Sequence, residues 1–558
     1  MTAATAPDAV DTRNQHDRAP IELPHRERMQ ILWAVLAGIF LAALDQTVVG
    51  TALPHIVTDL HGNDVYTWAF TSYLVTATVS GPIYGKLSDL FGRRPIFVLG
   101  VGIFLVGSML SGISQTMGQF IAFRGLQGLG AGALFPISLA IIGDIFSPSE
   151  RGKYQGFFGA VFGLSSLIGP AIGGVITDTV GWHWIFFVNV PIGVVVLFVI
   201  WRVLPVRRSE GVDRRIDYLG AAVFVAALVP ILIGLTNKQT GAWTDPQVGG
   251  LMAVGLALAA VFVWVESRAH EPIVPLSLFR IRAFTASVLA MFLAAMGFFT
   301  AVVFLPRWFQ VVLGASATES GYQILPLLMG LIVSAIVSGQ IVARTGRYKA
   351  MITGALVVLA LGLLLLTNLQ PDTPRPLLWL WMLIAGLGIG PAFGVFTLVV
   401  QNSVPVEELG TGTSSLTLFQ QVGGTVGLAI TGTIFGSRLL EELPKQIAAA
   451  GVPAQLAGEF AKGGGAALNN LSGIGDLGTK ILSQVPPDAQ AQVKPFIPAI
   501  VTAIHEAFSI ATASTFVIGV GTALLAAVVI AVVLPAARMQ HMDRTAPAAE
   551  PSLEPSAD

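Results

Sequence analysis

Apolar residues along this chain neither alternate with polar ones nor scatter. They gather into fourteen blocks of about twenty, at 30–53, 66–84, 96–113, 118–142, 155–177, 183–204, 216–236, 247–266, 283–305, 321–342, 350–368, 377–400, 411–436 and 506–535. About twenty apolar residues in a helix cross the ~30 Å hydrocarbon core of a bilayer. Only helices and closed barrels satisfy every backbone N–H and C=O in lipid. A barrel would show short alternating strands of about ten residues. The pattern therefore predicts an all-α membrane protein with fourteen spans, and an even count places both termini on one side.

The polar stretches between blocks decide which side. Lys86, Arg93, Arg94, Arg151, Lys153, Arg202, Arg207, Arg208, Arg214, Arg215, Arg268, Arg280, Arg282, Arg344, Arg347 and Lys349 all fall in one set of short loops. The opposite set holds only Lys238, Arg307 and Arg375. Basic residues stay cytoplasmic, so the first set and both termini are expected there, in the cell membrane. The connection 437–505 then lies outside; its helical stretches (439–449 and 454–461) and Gly463–Gly465 suggest a small cap or a flexible loop. Residues 1–29 are polar, carry Pro20 and Pro24, and read as a disordered cytoplasmic tail, as do 536–558. No short apolar segment with a small-residue cleavage site precedes the first block, so that block is expected to be its own insertion signal.

Composition narrows the classes. With 54% hydrophobic and 11% charged residues, the chain lacks the roughly 25% charge that covers a soluble domain. A net charge of −1 gives no global field to draw nucleic acid. There is no cysteine, which excludes disulfides, thiolate metal sites and thiol catalysis. His55, His61, His183 and His505 are scattered near the outer ends of blocks and read as interfacial rather than as metal ligands. Gly473-x-x-x-x-Gly478-Thr479-Lys480 nearly copies a phosphate-binding loop, but Lys and Thr are transposed and no strand precedes it. No metal, nucleotide or other cofactor is expected.

The chain also repeats. Gly85, Gly92 and Arg93 of Gly85-Lys86-Leu87-Ser88-Asp89-Leu90-Phe91-Gly92-Arg93-Arg94 recur as Gly339, Gly346 and Arg347. Gly128-x-Gly130-x-Gly132 recurs as Gly386-x-Gly388-x-Gly390, and Glu150-Arg151-Gly152 as Glu408-Leu409-Gly410. Two near-equal offsets imply a duplication. The halves are spans one to six and nine to fourteen, giving 30–204 as an N-terminal six-helix bundle and 283–535 as a C-terminal one. The linker, 205–282, holds two extra spans.

These residues resemble a known family. The stretch Gly85 to Arg94 is similar to the loop 2–3 signature of the major facilitator superfamily. Leu44-Asp45-Gln46-Thr47-Val48-Val49-Gly50-Thr51-Ala52-Leu53-Pro54 resembles the first-helix signature of its fourteen-spanner drug:proton antiporters. Arg124 to Gly128 resembles the fourth-helix signature, and Gly169-Pro170-Ala171-Ile172-Gly173-Gly174 the fifth-helix antiporter signature. Trp182 to Gly193 and Pro275 to Arg280 are similar too. Ser165, His183 and Ala343 depart from the pattern; Ala343 stands where the first half has Asp89. The likeness covers about 30–435 and 506–535. It implies a proton-coupled exporter of amphipathic small molecules or drugs, not an enzyme, whose partners are its cargo, protons and the bilayer. It is expected to act as a monomer. An exporter of an endogenous lipid or metabolite on the same fold is the alternative. A membrane enzyme or receptor would need clustered intramembrane Asp, His and Glu.

A charged residue at a helix centre costs roughly 2.5–3.5 kcal/mol on insertion scales, so Asp45 and Arg124 are expected to matter. They lie about 12 and 9 Å below the outer ends of spans one and four at ~1.5 Å per residue, close enough in depth to pair and couple protons, or simply to join two helices. The second-half counterpart of Arg124 is Met382, which confines the coupling charge to one half. Asp89, with Gly85, Gly92, Arg93 and Arg94, is expected to hold the cytoplasmic side shut, with Asp89 capping or pairing across to the other half, although the two arginines could serve topology alone. Gly169, Pro170, Gly173 and Gly174, extended by Gly159 and Gly163, are expected to seal span five against span eight of the core fold.

Overall fold

The computed structural model describes residues 23–60, 66–146, 179–205, 217–238, 241–269, 272–452, 477–484 and 493–535, with Gln490 and scattered positions between 150 and 177. Among them every regular element is helical. The first half contains α1 (His25–Asp59), α2 (Tyr66–Phe91), α3 (Arg93–Gly112), α4 (Met117–Ile145) and α5 (Trp184–Val203). The inserted pair is α6 (Tyr218–Asn237) and α7 (Leu251–Glu266). The second half contains α8 (Arg282–Val312), α9 (Leu325–Thr345), α10 (Lys349–Leu366), α11 (Arg375–Ser403), α12 (Leu409–Ala449) and α13 (Ile497–Val533).

Twelve helices among the described residues are long and apolar enough to cross a membrane. α2, at 26 residues, is long enough to span, but Thr71, Thr76, Thr78, Ser80, Lys86, Ser88 and Asp89 dilute its apolar density below that of the twelve. The predicted block 155–177 falls largely outside the described residues; 172–177 are helical. Residues 1–22 and 536–558, Gly463–Gly465 and the stretch 454–461 also lie outside them, whereas residues 25–29, expected in the disordered tail, form the first turn of α1.

The duplication is built into the packing. In the first half α4 is sandwiched between α2 and α3; in the second, α11 lies between α9 and α10. Alternate glycines allow both approaches. A Cβ on Gly128 would lie 2.9 Å from Tyr73 Cα, and one on Gly132 2.5 Å from the Ala77 carbonyl, both on α2. One on Gly130 would lie 2.6 Å from Phe104 Cα on α3. Gly386 and Gly390 face α9 in the same way, and Gly388 faces α10, where a Cβ would lie 2.7 Å from that of Leu359. Real Cβ atoms do not come so close, so larger residues would force these helices apart. Gly92 (φ 95°) before α3 and Gly346 (φ 65°) after α9 occupy equivalent turns of the two halves, each in the left-handed region that glycine alone adopts freely.

The halves meet where α12 lies against α2 and α4. The inserted pair leans on this seam: Phe224 and Leu232 of α6 bury against Val75 and Val79 of α2 and Leu418 of α12. α7 turns Leu256, Val263 and Trp264 outward, as a lipid-facing helix does. Both ends of the large loop are helical. α12 runs thirteen residues past the predicted end of its span, at 436, burying Leu439, Leu443 and Ile447 in one stripe, and Ile481 of a short helix (Leu477–Gln484) joins the same core.

Candidate functional site

Asp45 and Arg124, 79 positions apart, meet in the first half. Arg124 Nη1 donates to Asp45 Oδ2 at 2.6 Å, with both side chains buried. The carboxylate is satisfied from two other helices, α4 and α5. Gln127 Nε2 donates to Oδ1 at 2.8 Å and Asn189 Nδ2 to the same oxygen at 3.1 Å. Arg124 Nη1 also donates to Gln127 Oε1 at 2.6 Å. Asn189 reaches Ser108 Oγ at 3.0 Å, and that hydroxyl donates to the Phe186 carbonyl at 2.8 Å. Arg124 Nε and Nη2 make no hydrogen bond among the described residues; the guanidinium lies 4.3 Å from the Tyr73 ring centroid, an arrangement favourable for a desolvated cation. A carboxylate in a dry interior needs such partners to stay charged. If it takes up a proton, Oδ1 and Oδ2 lose acceptor strength and Arg124 loses its counter-ion, so one protonation event disturbs α1, α4 and α5 together.

Asn189 and Ser108 were not singled out from sequence. Asn189 had a signal: it is the lone amide in the apolar run Trp184 to Val203. Ser108 had none, because small hydroxyl residues pack in any membrane helix.

The second constellation lies on the seam, at the end carrying the basic loops. Asp89 accepts from Gly410 N at 2.9 Å, Thr411 N at 2.8 Å and Thr411 Oγ1 at 2.9 Å. These amides are among the first four of α12, which have no partner within their own helix. Asp89 thus does for α12, from the other half of the protein, what a capping side chain does locally. Arg93 Nη1 pairs with Asp89, and its Nε donates to Asp144 Oδ2 of α4 at 2.9 Å. Gly85 lets α2 approach: a Cβ there would lie 2.7 Å from the Gly410 carbonyl. Gln401 Nε2 closes a second contact, donating to the Leu139 carbonyl at 2.9 Å. Arg94 does not join the seam. Its Nη1 donates to the Leu204 carbonyl at 3.4 Å, and its guanidinium lies over Trp201, tying α3 to α5.

The fifth-span glycines differ from expectation. Gly169 and Gly173 meet α1, not the other half. A Cβ on Gly169 would lie 2.6 Å from Thr47 Cβ, and one on Gly173 3.0 Å from the Val48 carbonyl. Thr47 Oγ1 also donates to the Ser165 carbonyl at 3.1 Å. Gly174 meets nothing within 4 Å, being one residue, about 100°, further round the helix. Pro170, Gly159 and Gly163 lie outside the described residues. These small residues therefore press against α1 two and three positions beyond Asp45.

Above the seam lies a pocket of about 30 Å³ between the halves, lined by residues including Gln46, Tyr73, Thr78, Phe135, Thr417 and Gln421. That volume admits water but not a drug-sized ligand, which needs roughly 300–1,000 Å³.

Two repeated helical halves, a buried charge network in one and a hydrogen-bonded seam between them are the architecture of a multi-pass membrane transporter. The family model described as Major Facilitator Superfamily matches residues 35–428. The chain is 41% identical over 413 residues to the multidrug transporter protein MdtP of Bacillus subtilis, covering 74% of this chain and 76% of the relative. It is 38% identical over 405 residues to multidrug resistance protein 3 of the same organism, covering 72% and 79%. The crystal structure of the human organic anion transporter MFSD10 shares the fold, with a TM-score of 0.56 at 17% identity over 74% of this chain and 94% of that one. The chain belongs to the major facilitator superfamily.

Proposed function

We propose that this chain exports amphipathic small molecules across the cytoplasmic membrane in exchange for protons. The carrying observation is the Asp45 carboxylate: fully desolvated, paired with Arg124, and held by donors from α4 and α5. Asp45 is the proton carrier in this reading, and Arg124 is the charge that its protonation releases. Asp89 and Arg93 form the cytoplasmic gate, latched in this structure, and the small pocket above widens when the halves move apart. The names of MdtP and multidrug resistance protein 3 support drugs as cargo, and the excess of basic residues in one set of loops supports cytoplasmic termini.

Energetically, each charge moved across 100 mV is worth about 2.3 kcal/mol, enough for one proton to sustain accumulation outside of roughly fiftyfold. The test is uptake of a fluorescent monovalent cation by inverted vesicles with and without a pH gradient. Gradient-driven uptake in wild type and none in Asp45→Asn is the expected result. Uptake indifferent to the gradient would refute the coupling.

A further inference from the structure

A second, larger cavity lies on the outside of the first half. It is a groove of about 790 Å³ between the basic-loop ends of α1 and α5, lined by Trp33, Ala37, Ile192, Val195, Phe198 and Val199 among other residues, with Gln30 and Arg202 at its mouth. The groove has a structural cause. At Gly38 the two helices touch, since a Cβ there would lie 3.7 Å from Val196. Toward their ends each helix is tied elsewhere. α1 is held toward α4 by Arg28, which pairs with Glu150 at 3.4 Å and lies over the Phe146 ring. α5 is held toward α3 by Arg94, through the Leu204 carbonyl and the Trp201 ring. The walls are almost wholly apolar, while Arg202 at the mouth is exposed and pairs with no carboxylate among the described residues.

We propose that this groove is a binding site for an anionic phospholipid of the cytoplasmic leaflet, with one acyl chain along the wall from Ala37 to Phe198 and the phosphate on Arg202. An apolar slot ending in one unpaired guanidinium matches an acyl chain ending in a phosphate. A neutral detergent-like cargo would leave the cation unanswered, and free phosphate would leave the walls unfilled. The site rests on the membrane orientation given above, but not on proton coupling. The same two helices carry Asp45 and Asn189, so the lipid sets the spacing of helices that hold the buried network.

Trp33, 64% exposed, reports on occupancy. The chain is reconstituted into phosphatidylcholine vesicles carrying a fixed minority of acyl-brominated phosphatidylglycerol or acyl-brominated phosphatidylcholine. The Trp33 signal is taken as wild type minus Trp33→Phe. The expected result is about fivefold stronger apparent binding of the glycerol lipid, the effect of one cation near an anionic surface, with equal binding in Arg202→Gln. Ala37→Phe, which fills the slot, should weaken quenching by both lipids. Trp184, at the opposite end of α5 and also exposed, is read through Trp184→Phe; it should show no preference in any variant, and its unchanged quenching confirms that they fold. Equal quenching of Trp33 by both lipids in wild type would reduce the groove to ordinary annular lipid. A preference that survives Arg202→Gln would overturn the headgroup assignment, and one erased by inorganic phosphate would overturn the lipid assignment.

Discussion

Replacing Asp89 with Asn should unlatch the gate without touching the cargo pocket. Among the described residues the carboxylate accepts four bonds. Gly410 N and Arg93 use Oδ1, while both donors of Thr411 use Oδ2. Asn can keep Oδ1 toward Gly410, but its amide then points at the Thr411 N–H, so that bond is lost, while the Thr411 hydroxyl can turn and accept from the amide. A hydrogen bond to a charged group is worth about 1.5–3 kcal/mol. One lost bond and the weakening of the others from charged to neutral acceptor, partly offset by relaxation and water, leave a shift of about 3 kcal/mol, or roughly 150-fold. A gate closed about 99% of the time would then be closed about 40% of the time. The absence of cysteine makes this measurable, since spin labels can be placed on Arg26→Cys and Thr345→Cys, exposed positions on opposite halves at the basic-loop end, with no background to remove. Electron–electron distance measurements should show a second, longer population in Asp89→Asn, with unchanged affinity for bound cargo. Distance distributions superimposable on wild type would refute the capping account. Equal loss of affinity and turnover would mean misfolding.

Three further outcomes follow from named contacts. Asp45→Asn, which keeps an acceptor oxygen beside Arg124, should leave the protein in the membrane but abolish gradient-driven uptake by inverted vesicles, whereas Asp45→Ala, which leaves Arg124 buried with neither counter-ion nor acceptor, should also destabilise by about 3–5 kcal/mol, seen as a lower melting temperature in detergent. Asp45 is the only buried acid at mid-depth among the described residues, so a second positive charge on cargo has no buried partner. Rigid dications should therefore protect a pump-deficient host less well than monocations of matched hydrophobicity, and equal protection would show another acidic contact. Glu319 is a poor candidate for that contact, being engaged by Ser316 in a capping box, and Asp178 lies outside the described residues. Gly388→Leu should cut the yield of folded protein severely, because even a Cβ would collide with Leu359 of α10; expression and thermal stability equal to wild type would show that α10 and α11 are not locked there.

The order of the helices could be read from sequence because apolar density is a local property. Helix ends could be read only in part. The stretch 439–449 read as helical, but not as an unbroken continuation of α12; Arg438, Glu441 and Lys445 pair along one face while Leu439, Leu443 and Ile447 bury on the other. Asp45 and Arg124 were legible as rare deep charges. Their amide partner Asn189 was legible only as an oddity in an apolar run. That Asp89 reaches across to the other half was legible, but its partner was not: it is the helix start at Gly410 and Thr411, 321 positions away, and backbone amides at a helix start look alike in every sequence. The fifth-span glycines announced a close approach, expected against span eight of the core fold; the structure instead packs Gly169 and Gly173 against α1.

The interleaved glycines have a mechanical consequence. Where a side chain fits against a neighbour it can hop rotamers and absorb a push; where backbone rests on backbone there is nothing to rearrange. α4, gripped by α2 at Gly128 and Gly132 and by α3 at Gly130, therefore behaves as a stiff rod. Arg124 and Asp144 ride on that rod twenty residues apart, about 30 Å at the helical rise, with Pro136 as its one soft point. A displacement at the buried arginine is thus delivered to the carboxylate that holds Arg93 with little loss on the way, in the manner of a pushrod. α11, gripped identically, carries Met382 where a charge would be, so the second half has the rod without the piston.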